Sequence, residues 1–233
     1  MKHVIAFLAG TAAGGILAVA LVLLIPSTQP NLSPLDVSDG SQVGLNFSAV
    51  ADEAILFTNN GESTIPTHPR RVLELWEPTI AETSALVTTL RNMRGEPVGL
   101  GIKFVSLSEN TRILNGEMLA DSIWYVYLPG RGTMLVEQSE NYWTFMRDIV
   151  LPAHWNGDNS WRGNWRGTIT SGPGPLGTAH VHGGSGEFRG LDAEAIETLT
   201  ASAYSADDGP VALEGRLLVE LPRDSDGMAA DSR

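Results

Sequence analysis

Between Val72 and Pro222, apolar and polar positions alternate more often than they recur every three or four residues. The clearest run is 122–128, where Trp124, Val126 and Leu128 share one face and Ile123, Tyr125 and Tyr127 the other. Period two in aromatic and β-branched residues predicts a strand. Pro129-Gly130-Arg131-Gly132 closes it, and Thr133 to Gln138 reads as the returning partner of a hairpin. Val98 to Leu107, Trp165 to Thr170, Gly177 to His182 and Val211 to Leu221 predict further strands. Asn141 to Val150 suits a short helix, and Ile80 to Met93 fits either a helix or a Thr-rich strand. Strands about ten residues apart with Gly-rich turns predict a mainly β, antiparallel barrel or sandwich. Closure into a barrel would remove the exposed edges of so many strands.

The pattern changes at the start of the chain. Val4 to Ile25 runs without a charge, between Met1-Lys2-His3 and Pro26. At about 1.5 Å per residue such a helix covers the roughly 30 Å hydrocarbon core of a bilayer. It reads as a single-pass transmembrane anchor, with a long signal peptide as the alternative. Lys2 precedes it and the next basic residue is Arg70, which predicts a cytoplasmic amino terminus and an extracytoplasmic, periplasmic C-terminal part in the cell membrane. Gly10, Gly14 and Ala18 fall four apart, the small-residue pattern that lets helices approach closely in lipid. That face predicts integral membrane protein subunits as partners, although glycine and alanine are also common in membrane helices generally.

The expected domains are therefore the anchor at 1–25, a tether at 26–71, the β-barrel at 72–222 and a tail at 223–233. Pro26, Pro30 and Pro34 and the Ser, Asn and Asp between them mark the tether as extended. Within it, Val43 to Thr58 regains apolar residues, Phe47 among them, and predicts a short helix or strand packed on the barrel domain or on a partner. The formal net charge is −12, and Lys2 aside every charged residue lies beyond the anchor. This excludes a generic nucleic-acid binder, which needs a basic surface to displace counterions from phosphates. An acidic exterior either keeps an exported domain soluble or steers a basic soluble protein toward it. There is no cysteine, so no disulfide holds the core.

One passage is more specific: Gly177-Thr178-Ala179-His180-Val181-His182-Gly183-Gly184-Ser185-Gly186-Glu187-Phe188-Arg189-Gly190. It resembles the Gly-Thr-Ala-x-Val-Thr-Gly-Gly-Thr/Ser-Gly-x-Phe-x-Gly signature of the allene oxide cyclase and dirigent superfamily. Gly183, Gly184, Gly186, Phe188 and Gly190 match, while His182 stands where Thr is usual. The resemblance implies a small calycin-like barrel in which the strand enters a Gly-Gly-x-Gly turn and the following Phe packs inside. It also implies enzymes that guide cyclisation or coupling largely by shape, without metal or nucleotide. No catalytic carboxylate of the family falls on a matching motif here.

Other groupings carry less. His180 and His182, two apart on a strand, could share a metal if a third ligand such as His154, Glu187 or Asp192 joined them, but no motif fixes one. Trp155, Trp161, Arg162, Trp165 and Arg166 are of the types that dominate interfaces, and equally of the types that plug a barrel end. No catalytic residue stands out, no cofactor is implied, and nucleophile-elbow, phosphate-loop and haem-attachment motifs are absent. The expected function is a non-catalytic accessory subunit of a larger membrane complex, an energy-transducing one such as a photosynthetic reaction-centre or respiratory assembly. The alternatives are an anchored, allene-oxide-cyclase-like enzyme and a lipid or pigment carrier.

Overall fold

Trp124, Val126 and Leu128 are fully buried, while Ile123, Tyr125 and Tyr127 stay 40–45% exposed, so the alternation along 122–128 becomes the inside and outside of a curved sheet. The computed structural model describes residues 14–18, 20, 21, 23, 24, 41–50, 54–57 and 83–221. Its strands are β1 (Ser41–Ser48), β2 (Ala54–Phe57), β3 (Thr83–Arg91), β4 (Pro97–Leu107), β5 (Leu119–Leu128) and β6 (Gly132–Asn141). There follow β7 (Ser160–Thr168), β8 (Thr170–Gly172), β9 (Ala179–Gly186), β10 (Asp192–Ser205) and β11 (Gly209–Leu221). The protein is mainly β, antiparallel and barrel-like.

The ring runs β1-β11-β10-β9-β6-β5-β4-β3 and returns to β1. The return is made by one cross-strand pair, Asn46 with Arg91. Side chains stitch that seam: Thr88 Oγ1 donates to the Ser48 carbonyl at 3.0 Å, and Asn46 Nδ2 to the Asn92 carbonyl at 3.1 Å. Strand β10 is long enough to change partner, pairing β9 through Asp192–Ala195 and β7 from Thr198 onward. Between β6 and β10 the ring is thus filled by β9 at one end and by β7 and β8 at the other. A helical segment over 143–155, α-helical at both ends with a π-helical turn in the middle, packs Ile149 and Phe145 against the core. Phe145 meets Trp165 and Tyr204 edge to face at 5.4 and 6.0 Å.

Several expectations change. Within Ile80 to Met93, Thr83–Arg91 is strand β3, because Leu86, Thr88 and Leu90 alternate into the core. Ser41–Ser48, expected in the tether, is an integral strand: it pairs β11 along its length and buries Leu45 and Phe47, so the barrel begins at Ser41 rather than Val72. Strand β10 has no counterpart in the sequence reading. Gly183 and Gly184 do not turn; the strand continues to Gly186 and the turn occupies 187–190. Phe188 is nevertheless buried, as the resemblance implies.

Of the expected anchor, Gly14–Ala18, Ala20, Leu21 and Leu23 are helical, with Ile16, Leu17, Leu21 and Leu24 exposed. Among the described residues no helix is long and apolar enough to cross a membrane. The remainder of Val4–Ile25, including Gly10, lies outside the described residues, as do most of 26–71 and the tail 223–233.

Candidate functional site in the barrel interior

The parity that buries Val136 carries Gln138 and Glu140 inward as well, and on β4 it turns Lys103 inward between Gly101 and Val105. Across the lumen β10 contributes Glu197, and Lys103, Glu140, Gln138 and Glu197 are each at most 3% exposed. Lys103 Nζ lies 2.6 Å from Glu140 Oε1 and 2.7 Å from Glu197 Oε1. Trp124 Nε1 donates to Glu197 Oε2 at 2.8 Å, and Gln138 Nε2 donates to both carboxylates. Ser122 Oγ donates to Glu140 Oε1 at 2.6 Å, and the Tyr142 hydroxyl donates to Glu140 Oε2. Thr170 Oγ1 donates to Gln138 Oε1 at 2.8 Å and accepts the Glu197 backbone N–H at 2.7 Å. Glu197 sits where β10 changes partner, and its carbonyl accepts the Ile169 N–H at 2.9 Å.

Such a cluster persists inside a protein only when nearly every polar atom has a partner. One ammonium faces two carboxyls, which leaves an uncompensated charge and a place for a proton. Burial raises the affinity of Glu197 for that proton above the usual 4.5, and Glu140 adds to this, while Lys103 opposes it. Burial pulls the proton affinity of Lys103 down, but Glu140 and Glu197 more than offset this and hold it above the ordinary 10.5. Burial, with Glu140 and Glu197 beside it, pushes the Tyr142 phenol well above 10, so it remains a hydrogen-bond donor. The interior therefore combines a fixed cation, a proton-sharing carboxyl and a phenol.

The cluster borders a cavity of about 240 Å³. Phe47, Leu86, Phe145, Leu199 and Leu213 supply its apolar wall, and Lys103, Glu197 and Tyr142 its polar corner. An oily cleft meeting a few convergent polar groups with displaced proton affinities has the general form of a small-molecule site. Phe47 helps set that corner: its ring meets Trp124 edge to face at 4.7 Å, and Trp124 holds Glu197. Gly215 makes room for the ring, since a Cβ there would lie 1.9 Å from Phe47 Cζ.

No family model matches the chain, and no curated protein matches it in sequence. Solved structures that are similar to it include three cycloaddition enzymes. One is a nonspecific haem-binding cyclase that catalyses a [4 + 2] cycloaddition in neoabyssomicin biosynthesis, 10% identical over 92% of this chain and 83% of that chain, with a TM-score of 0.41. Another is AbnU, an exo-specific intermolecular Diels–Alderase, 11% identical over 78% of this chain and 98% of that one, with a TM-score of 0.40. The third is the Diels–Alderase AbmU from Streptomyces koyangensis, 8% identical over 82% and 68%, with a TM-score of 0.39. The expectation of a non-catalytic accessory subunit is corrected by the lumen, where a buried carboxyl group borders an open cavity in place of a wholly apolar filling.

The residues singled out in the sequence go elsewhere. Phe47, expected at an interface, is 4% exposed in the core. The Trp-Arg-Gly doublet is split by the strand: Trp161 and Trp165 fold back along β7 over Gly163 and Gly167, where a Cβ would come within 2.6 Å of each ring. Both indoles pack against the core, while Arg162 and Arg166 point outward and Trp155 is 60% exposed. His180 and His182 stack on the outer wall, 6.1 Å apart, and among the described residues no third ligand joins them. The signature glycines are packing positions. A Cβ at Gly183 would lie 1.5 Å from the Phe188 carbonyl oxygen, and one at Gly184 would lie 2.6 Å from Thr133 Oγ1. Gly186 and Gly190 adopt positive φ, +62° and +74°. Gly14 and Ala18 are helical, and among the described residues nothing lies within 4 Å of a Cβ on Gly14.

Proposed function

We propose that the barrel is an enzyme that cyclises or rearranges a small, mostly apolar substrate in the cavity beside Glu197. The observation that carries this reading is a buried carboxyl with raised proton affinity at the edge of an apolar cleft. Such a group is tuned toward neutrality, where acid–base exchange works best. In this reading Glu197 takes and returns a proton at the reacting part of the substrate. Lys103 positions Glu197 and balances the charge, and Tyr142 offers its O–H to a substrate oxygen as charge develops there. The apolar wall holds the chain of the substrate folded, so that the bond-forming atoms are already close.

Shape-guided ring closure is also what the resemblance of Gly177–Gly190 to the allene oxide cyclase and dirigent superfamily implies. The cavity volume favours a compact substrate over a pigment or lipid: about 240 Å³ falls below the roughly 300–1,000 Å³ of ordinary drug-sized pockets. The uncharged run Val4–Ile25 would hold the barrel at the extracytoplasmic face of the membrane.

The test is incubation with a panel of acyclic epoxides and dienyl carbonyl compounds, followed by chiral chromatography. The reading expects one enantiomer in excess with the native protein, and a racemate with Glu197→Gln or with the cavity-filling Leu213→Trp. It fails if no panel member is converted and no apolar carbonyl fragment shows saturable quenching of tryptophan fluorescence that Leu213→Trp removes.

A further inference from the structure

The outer face of the wall formed by β1, β11 and β10, whose inner face lines the cavity, carries a second constellation. Register aligns two rows across the strands there. The first is Arg91 on β3, Asn46 on β1, Arg216 on β11 and Thr198 on β10. The second is Ser48 on β1, Glu214 on β11, Thr200 on β10 and Arg166 on β7. These positions alternate with the buried Leu45, Phe47, Leu213, Gly215 and Leu199, so their side chains face outward. The β3–β4 hairpin forms a raised edge and adds Arg94. Gly44 lets it settle there, since a Cβ on Gly44 would lie 2.6 Å from Met93 Sδ. The result is a groove of about 660 Å³ lined by four arginines and a single carboxylate, Glu214.

That concentration runs against the composition, in which 27 acidic residues outnumber 15 basic ones. Three basic groups elsewhere in the barrel have acid partners: Arg131 meets Glu187 at 2.8 Å, Arg147 meets Asp148 at 2.6 Å, and Lys103 meets two glutamates. Among the described residues none of Arg91, Arg94, Arg166 and Arg216 forms an ion pair. Two of them are braced from behind. Arg216 Nε donates to Asn46 Oδ1 at 3.0 Å and Arg91 Nη1 to the Gly95 carbonyl at 3.1 Å, which leaves further N–H groups directed at the groove. Arg91 and Arg216 flank Asn46 on neighbouring strands, so their backbones are about 10 Å apart. Like charges held that close are relieved by an anion between them, and the planar guanidinium fork matches the paired oxygens of phosphate and carboxylate.

We propose that this groove binds a soluble, multiply charged oxyanion, a diphosphate or a polycarboxylate, at a site separate from the barrel interior. Even on an anchored barrel, the strongly negative charge of the chain beyond Val4–Ile25 opposes contact of its surface with anionic lipid headgroups, which favours a dissolved ligand.

Isothermal titration of the full chain in a non-ionic detergent at low ionic strength, with pyrophosphate in one arm and tricarballylate in the other, tests this. Saturable binding with one site per chain is expected in at least one arm, the tighter arm naming phosphoryl or carboxylate as the ligand class. Arg94→Gln and Arg166→Gln, which carry no described structural hydrogen bond, should each weaken it about tenfold or more, and Arg189→Gln, outside the groove, should leave it unchanged. Absence of saturable binding in both arms overturns the proposal, as does equal binding by Arg94→Gln and Arg166→Gln, or an equal loss in Arg189→Gln.

Discussion

Lys103 on β4 and Arg216 on β11 are both cations of one barrel wall, yet they live under opposite rules. Lys103 is sealed in the lumen with two carboxylates within 2.7 Å. Arg216 lies in an open groove, is held by an amide oxygen, and has no acid partner among the described residues. Inside, burial removes bulk solvation, so the fold itself must supply partners for the charges and the matching becomes part of stability. Outside, water substitutes for a partner at little cost, and the charge stays available to a ligand. Polar residues facing inward therefore report on the site's architecture, and those facing outward on what the molecule can capture.

The sharpest way to break this contrast is Lys103→Met. It leaves Glu140 and Glu197 buried together without a cation and should cost about 3–5 kcal/mol in a denaturant unfolding experiment. A loss below about 1 kcal/mol would mean that water reaches the cluster. Gly215→Ala comes next: it drives a methyl into Phe47, loosens Trp124 from Glu197 and should cost about 1–3 kcal/mol.

The third probe is pH. Lys103 and Tyr142 both have proton affinities raised in the folded state, so their stabilising contributions are complete below 10 and are lost as pH rises beyond it. The unfolding midpoint should fall above about pH 10, and Tyr142→Phe should flatten part of that fall. For Glu197 the sign is the same but the window is acidic: its contribution is complete below 4.5 and is lost as pH rises through its raised folded value. The smallest effect belongs to Arg166→Gln, expected within about ±0.5 kcal/mol of native stability. A cost as large as that of Lys103→Met would erase the distinction between the two regions.

The sequence made the barrel legible wherever alternation was strong, as in β5 and β6. It concealed β10 because Ala193, Glu194, Ala195 and Glu197 are helix-favouring residues, and pairing with β11, β9 and β7 overrides that preference. Strand β1 was half legible: the apolar return at Val43 marked a helix or strand packed on the domain, but the Ser- and Pro-rich run before it placed that segment in the tether. The candidate site was hidden by distance: Lys103 and Glu197 are 94 residues apart and no short motif joins them. The available signal was parity, since Gln138 and Glu140 continue the inward phase of Val136. The glycine signature, by contrast, was visible because its function is local, allowing strand, turn and Phe188 to pack closely.

A ring whose other junctions are ladders and whose last is a single pair has a preferred place to come apart. Local opening at Asn46 and Arg91 would peel β3 from β1 while β1 stays zipped to β11, turning the closed cylinder into a curled ribbon. Amide exchange should therefore be fastest along that line. Arg91 and Arg216 stand on the two sides of it, so an anion gripped by both would act as a clasp, making occupancy of the groove a control on how often the cylinder unrolls.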